Sequence, residues 1–158
     1  MNHLFHDLAP ISDAAWSEIN EEATRTLKHF LAARKLVDLD GPLGYDASAV
    51  SLGRLEALAD QPGDGVAASR RSILPLVELA RPFVLQRSEL ESIDRGACDA
   101  DLDPVVDAAK ALALTEDRIV FEGYESAGIK GIGTASPHAP IALSEDFNRY
   151  PNHVAAAV

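Results

Sequence analysis

Two β-prone runs on either side of a dense turn signal constrain the fold of this 158-residue chain more than any other feature. The first run covers residues 46–58, the turn covers residues 61–65, and the second run covers residues 66–85. The pattern predicts one long β-hairpin. Because proline has no N–H to donate to a ladder, Pro75 and Pro82 confine these strands to a sheet edge or an extended arm. Such an arm has little core of its own, so we expect it to pack against another chain.

An amphipathic helix is predicted near the N-terminus, with Ser12 or Asp13 as its cap and its end at about residue 33. Apolar residues recur in it at steps of three or four and form one stripe: Trp16, Ile19, Ala23, Leu27, Phe30 and Leu31. Charged residues fall mostly on the other faces. This pattern is typical of a helix that packs one side onto a core and exposes the other to water.

A short helix is predicted after the hairpin, because Ser88 and Glu91 match a capping box and Gly96 provides a stop. Glycines and prolines make the stretch after residue 123 irregular, and the apolar residues 154–158 resemble the opening of another helix. Taken with the hairpin, these elements indicate an α+β chain.

A longer helix is predicted from Asp103 as its cap, with Pro104 at its first position and Gly123 just past its end. Its expected buried face consists of Val105, Ala109, Leu112, Ile119 and Val120. Glu116 lies on that apolar face, where an unpaired carboxylate would be costly. We expect it to form a structural salt bridge, to Arg118 or across a subunit boundary, rather than to act in catalysis.

The charge of the chain limits the partners that can be expected. Its formal charge of −11 opposes phosphate backbones and anionic lipid surfaces, so neither nucleic acid nor a membrane is a predicted partner. The sequence has no apolar run of the length of a membrane span, and its first residues lack the features of a signal peptide. We therefore expect a cytoplasmic protein.

The sequence contains no complete motif for catalysis or metal binding. Asp99, Asp101 and Asp103 occupy the first ligand positions of a calcium loop, but Pro104 stands where glycine is needed and Lys110 stands where glutamate is needed. The five histidines show no zinc-binding spacing, and the single cysteine has no partner for a disulfide or a metal. No catalytic residue, metal or cofactor is predicted, which leaves a hydrolase or protease as the least favoured alternative.

Four segments of the chain resemble the encapsulin family of shell proteins at the spacing that the family uses. They are residues 7–12 with Trp16, residues 33–38 leading to Gly41-Pro42, residues 91–96, and residues 116–123. The resemblance runs in one order from residue 1 to about residue 134. It implies a type 1 encapsulin shell protein, a relative of the linocin-like and culture-filtrate-antigen-like proteins, which is not an enzyme and assembles into an icosahedral cage.

The resemblance also implies a fold and a division of the chain. The fold would be that of tailed-phage major capsid proteins, known from bacteriophage Hong Kong 97, incomplete at the C-terminus. Residues 1–45 would form an N-terminal arm and lumen-facing helix, residues 46–84 the extended loop, residues 85–134 the peripheral domain with its spine helix, and residues 135–158 the start of the axial domain. Family members extend well beyond residue 158, so we expect either a fragment or a shell protein completed by a second chain.

In the family, the N-terminal helix and the peripheral domain hold a C-terminal targeting peptide of a cargo enzyme, such as a dye-decolorizing peroxidase or a ferritin-like protein. The positions that match this cargo-peptide site are Leu27, Phe30, Leu31, Arg34 and Asp38. Leu27 and Phe30 could each equally serve only to pack the helix on its own domain. Some members hold a flavin beside an aromatic residue before the short helix, but this chain has Arg87-Ser88 there, and no flavin is expected.

One alternative shares the same fold. A phage or prophage major capsid protein would enclose DNA, whereas the acidic balance of this chain favours a protein cargo. The resemblance therefore predicts an encapsulin nanocompartment in the cytoplasm, built by self-association of the chain.

Overall fold

The computed structural model of the chain describes residues 6–60 and 62–157. Five α-helices lie in this part of the chain: α1 (Asp13–Phe30), α2 (Arg87–Asp94), α3 (Asp103–Glu122), α4 (Ile132–Ala135) and α5 (Tyr150–Ala157). Its four strands are β1 (Ala49–Ala57), β2 (Ser69–Pro75), β3 (Gly123–Tyr124) and β4 (Ile129–Lys130). Helix and sheet are thus mixed in one chain, which confirms the predicted α+β class.

The predicted N-terminal helix is confirmed as α1, and Ser12 rather than Asp13 is its cap. The Ser12 hydroxyl accepts a hydrogen bond from the backbone N–H of Ala15 at 3.1 Å and donates one to Asp94 at the end of α2. The helix ends at Phe30, three residues earlier than predicted, because Leu31 leaves the helical region with ψ at 103°. A short 3₁₀ turn, Ala33–Lys35, follows.

The bounds predicted for the long helix are confirmed in α3, but its predicted cap is wrong. Leu102 occupies the capping position without a side-chain hydrogen bond, and Asp103 is the first helical residue. The Asp101 carboxylate instead accepts a hydrogen bond from the backbone N–H of Asp103 at 3.0 Å. Gly123 ends the helix at a φ of 92°, a left-handed backbone conformation that glycine adopts without a steric penalty.

The capping box predicted for the short helix is also wrong. Helix α2 begins at Arg87, and Gln86 precedes it without a side-chain capping bond. Since the helix starts one residue before Ser88, the hydroxyl of that serine is no longer in a capping position. Glu91 pairs with Arg87 one turn earlier, at 2.8 Å, instead of reaching back to the serine.

The core of the described chain lies where α1 packs along α3, and α2 packs against α1. Its buried apolar residues are mostly small: Ala15, Ile19, Leu31, Ala33, Ile93, Val105, Ala108, Ala109 and Ala113. Alanines at a helix contact allow the two backbones to approach closely. Of the predicted buried face of α3, Val105 and Ala109 are buried, whereas Leu112, Ile119 and Val120 are only half-buried.

The predicted hairpin is confirmed as the antiparallel pair β1–β2, with shorter strands than expected. The second strand covers only Ser69–Pro75 of the predicted run 66–85, and the register pairs Ala49 with Pro75. Among residues 6–48 no residue belongs to a strand, so the chain beyond Pro75 has little left to pair with. Except for Ala49 and Ser72, which are half-buried, all residues of the two strands are exposed.

A two-residue ladder, β3–β4, closes the chain back on the end of α3. The backbones of Gly123 and Gly131 approach each other closely there. A Cβ atom on Gly131 would lie 2.3 Å from the backbone nitrogen of Gly123. Only glycine fits at such a distance. Helix α4 follows, and α5 begins at Tyr150, four residues before the apolar segment in which a helix was expected.

Candidate functional site

The five residues predicted to bind a cargo peptide lie at the end of α1 and in the turn after it. Leu27 and Phe30 belong to the last turns of the helix and are half-buried. Leu31 is buried, with 8% of its surface exposed, and its N–H donates to the carbonyl of Leu27 at 2.9 Å. Arg34 and Asp38 are exposed. Leu27, Phe30 and Leu31 thus lie at the end of α1, and Arg34 lies in the 3₁₀ turn that follows.

Asp117 of α3 fixes this turn. Its carboxylate accepts hydrogen bonds from the backbone N–H of Ala32 at 2.9 Å and from that of Ala33 at 2.9 Å. These N–H groups would bond to carbonyls of α1 if the helix continued, so the carboxylate helps to explain why the helix ends at Phe30. Asp117 is buried, with 9% of its surface exposed, and the charge-assisted bonds offset the cost of burying it.

Glu116, the neighbour of Asp117, forms a bidentate ion pair with Arg34. The Nε and Nη2 atoms of Arg34 donate to the two carboxylate oxygens of Glu116 at 2.6 and 2.8 Å. These hydrogen bonds raise the pKa of Arg34, although partial burial opposes the shift. The predicted structural salt bridge of Glu116 is therefore confirmed, but Arg118 is the wrong partner, because the true one is supplied by a distant segment of the chain.

The aromatic ring of Phe30 is contacted on two sides. His29 meets it edge-on, with the ring centroids 4.8 Å apart, and the ammonium nitrogen of Lys110 on α3 lies 5.1 Å from its centroid. A cation at that distance is attracted by the face of the ring. Lys110 therefore joins Asp117 and Glu116 as a third α3 residue that positions the end of α1.

The chemistry of this site suits a peptide with an apolar anchor. Leu27 and Phe30 are half-buried and so expose part of their apolar surface. The side chain of Arg34, in the turn that follows, is 45% exposed and has more N–H donors than the pair with Glu116 uses. Asp38 lies beyond the 3₁₀ turn and makes no hydrogen bond or ion pair with any described residue. Sequence reasoning missed Asp117, although its four-residue spacing from the buried Ala113 placed it on the inner stripe of α3.

A depression of about 860 Å³ lies elsewhere, along the polar face of α1. Glu18, Glu21, Glu22, Arg25 and Lys28 contribute to its lining, and Glu22 forms an ion pair with Arg25. Charges of both signs line this open groove, and none of the five predicted cargo-binding residues does. It is an ordinary solvated helix face, so the turn after α1 remains the candidate site.

Two further properties of residues 6–60 and 62–157 bear on binding. No three histidine, cysteine, aspartate or glutamate side chains among them come together in a way that could hold a metal ion. None of their helices has both the length and the apolar character needed to cross a bilayer.

Comparison with known proteins identifies the family to which the chain is similar. A family described as "Encapsulating protein for peroxidase" matches residues 1–158. The type 1 encapsulin shell protein of Rhodospirillum rubrum is 53% identical to the chain, and that of Mycolicibacterium paratuberculosis is 48% identical, each over the whole chain. A diheme-cytochrome-encapsulin shell fusion protein of Kuenenia stuttgartiensis is 29% identical over 85% of the chain and 39% of its own length.

The chain belongs to the encapsulin family of shell proteins. It spans 58% of the length of the Rhodospirillum rubrum protein and 59% of that from Mycolicibacterium paratuberculosis. The match includes the whole of α1, the hairpin and α3, and so contains every residue of the candidate site.

Proposed function

We propose that this chain is a shell subunit, or the N-terminal portion of one, of an encapsulin nanocompartment that self-assembles into an icosahedral cage and encloses a cargo enzyme. The observation that carries the proposal is the match of residues 1–158 to a family of encapsulating proteins. The role is structural rather than catalytic, and its setting is the cytoplasm. Nucleic acid and membranes are not partners, in keeping with the net charge of −11.

The fold proposed for the whole subunit is that of the Hong Kong 97-like capsid proteins. In this proposal, residues 1–45 form the N-terminal arm and lumen-facing helix, and residues 46–84 form the extended loop that contains β1 and β2. Residues 85–134 belong to the peripheral domain, whose spine helix is α3, and residues 135–158 begin the axial domain. The exposed strands of the hairpin support this division, since an isolated two-stranded ribbon is at best marginally stable.

The proposed cargo site comprises Leu27, Phe30, Leu31, Arg34 and Asp38. Leu27 and Phe30 would contact apolar anchors of a C-terminal targeting peptide, and Arg34 would donate hydrogen bonds to its backbone or to a carboxylate. Leu31 is buried and would support these residues from below. A peroxidase is the cargo class favoured by the description of the family, with a ferritin-like protein as the second candidate.

The test of assembly is negative-stain electron microscopy and mass photometry of the protein purified from its native cells. Uniform closed shells are the expected result. Denaturing mass spectrometry of their contents would then identify the cargo and any second chain that completes the shell. A monodisperse small species would contradict the proposal, and packaged DNA would favour a phage capsid instead.

The test of cargo binding is loading of a fluorescent protein that carries the cargo's C-terminal peptide into these shells. We expect Phe30→Ala to lower loading severalfold, because it removes the aromatic surface of the site. Leu36→Ala is the matched control, since Leu36 is 71% exposed, lies just beyond the site and is not one of the five residues. Equal loading by both variants would contradict the proposed site.

A further inference from the structure

The two faces of the hairpin differ in chemistry, and its register assigns each paired residue to a face. Directly opposed residues of an antiparallel pair lie on the same face, and neighbours along a strand lie on opposite faces. The pairs Val50–Leu74 and Glu56–Arg70, together with Ser72, therefore form one face, which we call the ion-pair face. The pairs Ser51–Ile73 and Leu55–Arg71 lie on the other, which we call the arginine face.

The polar groups of the ion-pair face are satisfied within the hairpin. One carboxylate oxygen of Glu56 accepts a hydrogen bond from Arg70 Nη2 at 2.6 Å, and the other accepts one from the hydroxyl of Ser72 at 3.1 Å. A face whose charges are already paired gains little from an additional partner. It is suited to face water.

The guanidinium groups of the arginine face have no such partners among the described residues. Arg71 makes no hydrogen bond or ion pair with any described residue, and the same is true of Arg54 in the adjoining β-bulge. The bulge lies between Ser51 and Leu55, and Gly53 adopts a φ of 67° within it. It leaves a depression of about 310 Å³ between the two arginines, lined also by Ser51, Gly53 and Leu55.

Two unpaired guanidinium groups that line one depression repel each other unless an anion lies between them. Beside them, Leu55 and Ile73 expose 69% and 53% of their surfaces. Exposed apolar side chains around an unneutralised positive charge are typical of an interaction surface whose core is apolar and whose partner is acidic.

A second copy of the chain has the matching charge. Three arginines and one glutamate make the paired strands net positive, whereas the chain as a whole carries a charge of −11. The remainder of every copy is therefore strongly acidic. A neighbouring copy offers carboxylates to the arginines and is present wherever the chain assembles.

We propose that the arginine face of the hairpin docks on a second copy of the chain, with a carboxylate of that copy seated in the bulge depression between Arg54 and Arg71. This inference rests on the proposed self-assembly and adds to it the contact face and the charged residues. The apolar contact of Leu55 and Ile73 supplies binding energy, and the arginines set the register of the two copies.

The first experiment compares assembly of the wild-type protein with that of the double variant R54Q/R71Q, by mass photometry between about 50 and 500 mM NaCl. We expect the double variant to raise the dissociation constant for assembly about tenfold or more at low salt and to flatten its salt dependence. The charge-matched control is R25Q/R87Q, because Arg25 and Arg87 are paired with Glu22 and Glu91 inside the chain. This control should retain the salt dependence of the wild type.

The second experiment compares Ile73→Ser with Leu74→Ser. These neighbours are 53% and 51% exposed but lie on opposite faces of the strand, so they differ mainly in the face that each one tests. We expect Ile73→Ser to weaken assembly more than Leu74→Ser does.

The outcomes separate the inference from the proposed function. An assembling wild type whose dissociation constant and salt dependence are unchanged in R54Q/R71Q would overturn the inference alone, and so would a larger effect of Leu74→Ser. A wild-type protein that remains monomeric at every salt concentration would overturn the proposed function, and the inference with it.

Discussion

The carboxylate of Asp117, in the last two turns of α3, lies 2.9 Å from the backbone nitrogen of Ala33, 84 residues earlier in the chain. Through this contact one helix determines where another ends. The same carboxylate binds the N–H of Ala32, and its neighbour Glu116 holds Arg34. The turn proposed to receive a cargo peptide is therefore shaped by two consecutive acidic residues that need not touch the peptide.

Replacing Asp117 by asparagine should destabilise the protein. Asparagine keeps one acceptor oxygen but loses the negative charge, so we expect the free energy of unfolding to fall by about 1.5–3 kcal/mol. Urea denaturation followed by circular dichroism measures this change. Asp107→Asn is the control, since Asp107 is exposed on the same helix and should change stability by less than about 0.5 kcal/mol. Equal effects of the two substitutions would contradict the role assigned to Asp117.

The ion pair between Arg34 and Glu116 should contribute little to stability, despite its bidentate geometry. Its side chains are 45% and 30% exposed, and solvent screens a pair of this kind. A double-mutant cycle with Arg34→Gln and Glu116→Gln should give a coupling energy of at most about 1 kcal/mol, which declines as NaCl is added. A larger coupling that does not depend on salt would indicate a pair sequestered from water.

The contact of α1 with α3 should not tolerate a larger residue at Ala15, whose exposure is 0%. Leucine there would force side chains out of their rotamers or separate the helices, and we expect a loss of about 1–3 kcal/mol. Thermal unfolding of Ala15→Leu and of Ala14→Leu tests this, because Ala14 is the exposed neighbour on the same helix. Only the first substitution should lower the melting temperature.

Gly53 should be required for the β-bulge. At a φ of 67°, any residue with a Cβ atom is strained by about 1–2 kcal/mol, although open space surrounds the position. Amide hydrogen exchange in β1 and β2 should become faster in Gly53→Ala. In Gly63→Ala it should change little, since Gly63 has no positive φ and only an ordinary contact with Val66. Comparable protection in both variants would argue against strain at the bulge.

The hairpin ion pair should titrate in acid. The pKa of Glu56 is lowered by the hydrogen bond from Arg70 and, to a smaller extent, by that from Ser72. A lowered folded-state pKa stabilises the hairpin above the ordinary glutamate pKa of about 4.3, and this contribution is lost as the pH falls through the folded-state value. Carboxyl NMR should place the Glu56 midpoint below about 4.3, and Arg70→Gln should move it back towards that value. A midpoint that does not respond to the substitution would exclude Arg70 as the cause.

Local signals predicted the elements of this chain better than their caps. The proline after Asp103 and the glycine at 123 predicted both ends of α3, because these residues act on the backbone directly. The capping box at Ser88 failed, because its pattern does not determine the residue at which a helix begins. The second β-strand was predicted too long, since its end depends on where the opposing strand starts rather than on its own residues.

The candidate site depended more on tertiary contacts. The apolar face of α3 showed that Glu116 needed a cation, but periodicity alone could not find Arg34, which lies 82 residues away. Asp117 was missed because a single acidic residue on a helix is normally solvated. Its importance arises only when α1 ends beside it. The family resemblance, by contrast, is confirmed over residues 1–158.

The hairpin exposes nearly every one of its side chains, and a lone two-stranded ribbon is at best marginally stable in water. If docking to a second copy keeps the hairpin ordered, dilution of the protein makes the hairpin lose its order, while α1, α2 and α3 keep their shared core. The concentration of the chain in a cell then determines whether the hairpin is ordered. Under that condition the hairpin would be loosely ordered at low concentration and ordered by docking at high concentration.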